Sequence, residues 1–213
     1  SDALPPRDFQ SAIDHALKNE SLLDRNIQKA LENRAFAEPP PWGDIIGKTR
    51  SREDPHGLII LNGKVAAKWG DTRRPDITFS VAKSFLSLCS GLLQDDGLIP
   101  DFDAPISDLV NDGGFDSPHN KSITWRQMMQ MTSEWQGSMW GKPDQIDHNR
   151  NLSVAPKDNA HKGNERVLKS PGSHWEYNDV RVNRLALALL RVAERPLPDL
   201  LRERIMDPIG ACL

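Results

Sequence analysis

Cysteine is nearly missing from this sequence: only Cys89 and Cys212 occur among 213 residues. Two cysteines cannot build a disulfide-rich scaffold, and Cys89 lies in an apolar run where a buried thiol is expected. No stretch approaches the roughly 20 consecutive apolar residues that span a bilayer, so no membrane span is expected. The opening residues Ser1 to Gln10 show no basic start followed by an apolar run, which is how a leader would look. A leader already removed would leave no trace, so the compartment stays open between cytoplasm and periplasm or exterior. A basic excess is absent too. Lys and Arg total 27 against 30 Asp and Glu, for a net charge of -3, and the signs are interspersed, which disfavours a nucleic-acid partner. The chain is 38% hydrophobic and 27% charged, the profile of an ordinary soluble domain, and long enough for a single domain over 1–213.

Against those absences stand several clear patterns. Phe9, Ile13, Ala16 and Leu17, then Leu23, Ile27, Ala30 and Leu31, fall at spacings of three and four that predict two short amphipathic helices, stopped by Pro39-Pro40-Pro41. Asn62-Gly63 between Gly57–Leu61 and Lys64–Trp69 predicts a tight hairpin, giving a sheet hairpin and lead-in over 56–80. After Ser80 the apolar positions Ala82, Phe85, Leu86, Leu88, Cys89, Leu92 and Leu93 are too dense for a strand. They predict a helix ending near Gly97 that sits in the centre of a domain. Pro105 to Leu109 reads as a helical turn, and Thr124 as the cap of a helix from Trp125 to Met131. From 133 to 171 the pattern is lost, which suggests a long loop around a binding site. Asn178 or Asp179 then caps a helix presenting Val182, Leu185, Leu189 and Val192 on one face, and Leu200 to Met206 form one more. The region 81–195 is thus mostly helical.

Two apparent motifs dissolve on inspection. Gly43 to Thr49 has three residues between its glycines where a phosphate-binding loop needs four. The histidines show neither HExxH spacing nor paired cysteines, so no metal and no cofactor is expected. No Gly-x-Ser-x-Gly elbow occurs either.

Ser80-Val81-Ala82-Lys83 is the one Ser-x-x-Lys in the chain, and about one is expected by chance in a sequence of this size. Its placement gives it weight. At the start of a helix, positions i and i+3 share a face, so the amine can be turned toward the hydroxyl near the positive end of the helix dipole. A serine hydroxyl attacks a carbonyl only when a neighbouring base takes its proton, and a lysine is that base only if its neutral form is favoured. The plain alternative is that Ser80 caps the helix and Lys83 reaches out to solvent.

Taken with its surroundings, the sequence resembles the serine β-lactamase, penicillin-binding-protein and class C-like esterase family from Gly57 to about Gly210. The Asn62-Gly63 hairpin is similar to the first two sheet strands of that family, and Thr78 to Phe85 to its nucleophile segment. Ser122-Ile123-Thr124 through Met131-Thr132-Ser133 resembles its Ile-Thr-x-x-x-Leu-Leu-x-Met-Thr-Ser stretch. Pro171-Gly172 through Tyr177-Asn178-Asp179 resembles the Pro-Gly-x-x-Phe-x-Tyr-Ser-Asn stretch. The resemblance implies an α+β fold, an antiparallel sheet flanked by helices with a mostly helical region. It also implies covalent hydrolysis of a small-molecule ester, amide or β-lactam, with Ser80, Lys83 and Tyr177 as catalytic residues.

Two departures stand out. Asp179 replaces the family asparagine, which either changes substrate hydrogen bonding, favours an amine-bearing substrate or serves as a helix cap. The family's later Lys-Thr-Gly or His-x-Gly strand has no counterpart before Leu213. A truncated enzyme is therefore expected, completed by a missing C-terminal segment or a second chain. The alternative is a non-catalytic binding or scaffold module. Trp135 and Trp140, on the long loop, are expected with Asp179 to bind substrate.

Overall fold

Residues 9–32, 42, 48–152 and 159–211 are described by a computed structural model. They divide into two compact units, 1–77 and 78–213. Prolines 39–41, residues 43–47 of the glycine-bounded segment, residues 153–158 and Cys212 lie outside the described residues.

The first unit holds helices α1 (Gln10–Lys18) and α2 (Ile27–Glu32) and strands β1 (Gly57–Leu61) and β2 (Lys64–Trp69). Both helices fall where the spacing predicts them. The strands pair antiparallel around Asn62 and Gly63, whose φ values of 52° and 74° are those of a two-residue hairpin turn. A bulge between Ile59 and Ile60 shifts the register by one residue, so the alternation of faces changes along the ribbon.

The second unit is mostly helical. A short 3-10 turn, Phe79–Val81, leads into α3 (Ala82–Asp95), which is followed by α4 (Trp125–Met129), α5 (Asp179–Ala193) and α6 (Leu197–Leu201). Helix α5 is central, packing against α3, α4 and α6. Leu185, Ala188 and Leu189 on α5 are buried together with Leu93, Trp125, Met128 and Leu200. Each of the leucines and Met128 contributes about 1.5–3 kcal/mol by leaving water. Thr124 caps α4 as expected, in a capping box completed by the Gln127 side chain. The helix ends at Met129, short of the predicted Met131, because Met131 takes the left-handed conformation (φ 58°).

Three sequence expectations need correction. Helix α3 is not buried all round: it buries Cys89, Ser90 and Leu93, while Ser84, Ser87, Leu88, Gln94 and Asp95 form an exposed stripe. The serines, Gln94 and Asp95 share one side at helical spacing, so the segment is amphipathic. The 133–171 stretch is not a bare loop. It contains strands β3 (Ser138–Met139) and β4 (Lys142–Pro143), paired antiparallel, and a 3-10 turn over Asp144–Asp147. The buried face of α5 also differs from the apolar one read from sequence, because it carries Arg181 and Arg184. Each guanidinium has a carboxylate partner, which makes its burial tolerable. The architecture is α+β, with two two-stranded sheets among the described residues.

Candidate active site

Ser80 lies in the 3-10 turn before α3, immediately after Phe79, whose φ of 46° is unusual for a bulky residue. The cap position of α3 is Val81, with no side-chain cap bond, so Ser80 does not serve as the helix cap. One turn on, Lys83 faces the same way, and its Nζ donates to Ser80 Oγ at 3.2 Å.

Tyr177 comes from 97 residues away, and its hydroxyl donates to Ser80 Oγ at 2.6 Å. A chain of local structure carries it there. Gln127 of the capping box lies under Gly172, where a Cβ would sit 2.9 Å from its Nε2, and φ is 89°. The positive φ favours glycine there, and any side chain would also have to displace the Gln127 amide. The Gly172 amide donates to the Thr132 carbonyl (2.8 Å) and the Glu176 amide to the Met131 carbonyl (3.0 Å). The stretch that contains Thr132 and the one that contains Tyr177 thus run side by side, and Tyr177 emerges at their end beside Ser80.

Asp179 is not the cap of α5. Asn178 is, accepting from the Arg181 amide, and Asp179 is the first helical residue. The Asp179 carboxylate has one oxygen on Lys83 Nζ and the other on an Arg150 nitrogen, both at 2.7 Å. Both oxygens are thus taken up by protein cations. Lys83 and Arg150 also lie 4.8 and 4.9 Å from the centre of the Tyr177 ring, within cation–π range.

Burial acts to depress the Lys83 pKa, but its bonds to Asp179 and Tyr177 outweigh burial and hold it above the ordinary lysine value. Lys83 is consequently an ammonium ion at neutral pH. Burial pushes Asp179 upward, yet Lys83 and Arg150 together hold it below the ordinary aspartate value. The arrangement combines an exposed alcohol, a phenol within a short hydrogen bond of it and a fixed positive charge. Such a set can move a proton to or from the serine oxygen without a metal. Among the described residues no group of acidic, cysteine and histidine side chains is placed to hold a metal ion.

The two tryptophans lie elsewhere. Trp135 is buried, its indole N–H donating to the Gly114 carbonyl at 2.7 Å, and Trp140 is exposed at the β3–β4 turn. Both line a depression of about 620 Å³ with Asp112 and Arg184, and neither Ser80, Lys83 nor Tyr177 borders it.

Sequence reasoning missed Arg150 and its neighbour Asp147. Asp147 accepts from the Asp179 amide (2.9 Å) and pairs with Arg150 (3.5 Å) and Lys162 (3.3 Å). The only trace of this in the sequence is the three-residue spacing of Asp144, Asp147 and Arg150, which suits one face of a 3-10 turn.

A family model described as Beta-lactamase matches residues 59–211. No curated protein matches the chain. Among solved structures, the chain is similar to a D-stereospecific amidohydrolase from Streptomyces sp., at 23% identity, covering 62% of this chain with a TM-score of 0.43. The chain spans 41% of the length of that structure.

Proposed function

This chain belongs to the beta-lactamase family, and from that premise we propose that it is a serine hydrolase of ester or amide carbonyls, with β-lactams among the possible substrates. The observation that carries the reading is the convergence of Tyr177 and Lys83 on Ser80 Oγ, at 2.6 and 3.2 Å.

In the proposed reaction Tyr177 acts in its phenolate form, beside the Lys83 and Arg150 cations; Ser80 Oγ forms a bond to the carbonyl carbon, and its proton passes to that phenolate oxygen. Lys83 is held as an ammonium ion by Asp179 and is not the first acceptor. Its role is to keep positive charge beside the two oxygens while the proton moves between them. Collapse of the tetrahedral adduct breaks the bond to the leaving alcohol or amine, which takes the proton from Tyr177 and leaves an ester on Ser80. Water then attacks that ester, gives its proton to the same relay and releases the acid, restoring the serine. General acid–base work of this kind contributes about 10²–10⁴-fold in rate.

A fluorophosphonate probe tests the proposal, because it phosphonylates an activated serine. Labelling confined to the Ser80 peptide, and lost in Ser80→Ala at unchanged melting temperature, is the expected result. An unlabelled Ser80 across pH 5–9 would remove the basis for hydrolysis and leave a binding module.

A further inference from the structure

Arg150 lies on a segment with no sequence motif, yet it reaches the candidate nucleophile through a continuous line of contacts. Its NH1 donates to one oxygen of Asp179, the other oxygen forms an ion pair with Lys83, and Lys83 donates to Ser80 Oγ. The same NH1 lies 3.5 Å from Asp147, which also receives the Asp179 amide. Asp179 is therefore gripped at backbone and side chain by one small assembly.

A carboxylate with one free oxygen could swing about its Cα–Cβ and Cβ–Cγ bonds and would not fix the direction of its lysine. With Oδ2 fixed by Arg150, Oδ1 has one direction left, and it points at Lys83. We propose that Arg150 is a positioning residue, which clamps Asp179 so that the Lys83 ammonium is aimed at Ser80 and which braces the ring of Tyr177. The proposal rests on the hydrolase reading for its effect on rate, and on geometry alone for its effect on Asp179.

The groups that face Asp179 are Lys83 from α3, Tyr177 from the preceding stretch, Asp147 from the 3-10 turn and Arg150. Lys162 stands behind Asp147. Removing a cation raises the pKa of every acid and ammonium that it faces, so each of these groups shifts in the same direction when Arg150 is neutralised. An Arg150 that only stabilised the fold would lower the folded fraction and leave Ser80 labelling per folded molecule unchanged.

The test uses the full chain with Arg150→Gln and Arg150→Lys, read in two ways. The carboxyl carbon of Asp179, identified by its loss in Asp179→Asn, is titrated by NMR in protein labelled with ¹³C-aspartate. Its midpoint is expected to rise by about one pH unit in Arg150→Gln and to return partway in Arg150→Lys. Phosphonylation of Ser80 is expected to slow in Arg150→Gln relative to the parent, by up to about twofold more at pH 5 than at pH 8, again partly restored by lysine. An unmoved Asp179 midpoint overturns the proposal, as does a labelling rate that falls equally at both pH values. If the parent Ser80 takes no label, the hydrolase reading falls and the Asp179 titration alone decides the role of Arg150.

Discussion

Asp179 and Arg181 stand two residues apart on α5, yet they belong to charge clusters built in different ways. Around Arg181 every partner is buried. Its guanidinium bonds Glu134 (2.8 Å), Asp144 (3.0 Å) and the Trp135 carbonyl (2.9 Å). Glu134 also takes two bonds from Arg166, both 2.6 Å, and one from the Lys169 amide. Glu176 bonds Arg166, and Asp144 meets His148 at 3.0 Å. Each carboxylate oxygen of Glu134 has protein donors, and the cluster fastens residues 134–148 and 166–176 onto α5. Around Asp179 the charges are fixed as firmly, but they end on a serine oxygen that is exposed. The first cluster encloses its polar groups and acts as a fastening, while the second leaves one held polar atom open to solvent. Both clusters pair arginine with carboxylates, so the presence of such pairs does not tell them apart.

The sharpest way to break this comparison is to remove one charge from each side. Glu134→Gln leaves Arg166 and Arg181 short of a buried partner, and a loss of about 3–5 kcal/mol in unfolding free energy is expected from denaturant titration. Asp179→Asn, near the surface, should cost far less stability while changing the labelling of Ser80. Equal destabilisation by the two variants would show that the distinction is false.

Acid should act on the buried cluster next. Burial opposes ionisation of Glu134, but bonds from Arg166, the Lys169 amide and Arg181 prevail and hold its pKa at about 2, against 4.5 unpaired. For a depressed carboxylate the stabilisation is complete above the unfolded value and is lost as pH falls through the folded one. About 3 kcal/mol should therefore disappear between pH 4.5 and 2, seen as a falling denaturation midpoint. A midpoint flat over that interval would mean that Glu134 is not the fastening described.

The smallest effect belongs to the other unit, where no such cluster is at stake. Gly63→Ala forces a side chain into a φ of 74° at a cost of about 1 kcal/mol. Thermal melting should register that loss while Ser80 labelling per folded molecule stays constant.

What the sequence disclosed, and what it hid, follows from the range of the forces involved. The hairpin was legible because Asn62-Gly63 sets its own turn, and the α4 cap because Thr124 and Gln127 stand three residues apart. Ser80 and Lys83 were legible for the same reason, being one helical turn apart. Tyr177 was reached only through resemblance, since no local rule links residues 97 positions apart. Arg150, Arg166 and Arg181 were hidden because arginine reads as a surface residue, and their partners lie up to 47 positions away. The exposed side of α3 is hidden by apolar density, because Ser84, Ser87 and Asp95 are few but fall on one side of the helix.

The first turn of α5 is a shared rigid beam. It carries Asp179 toward Ser80 and, within one turn, Arg181 into the buried cluster, with Asn178 pinned to the Asp144 carbonyl at its very start. Heat that loosens the arginine fastening is expected to tilt the beam and shift Asp179 away from Lys83 in the same event. Loss of Ser80 labelling and melting of this unit are therefore expected to coincide on heating; labelling lost well below the melting temperature would show that the first turn of α5 opens locally.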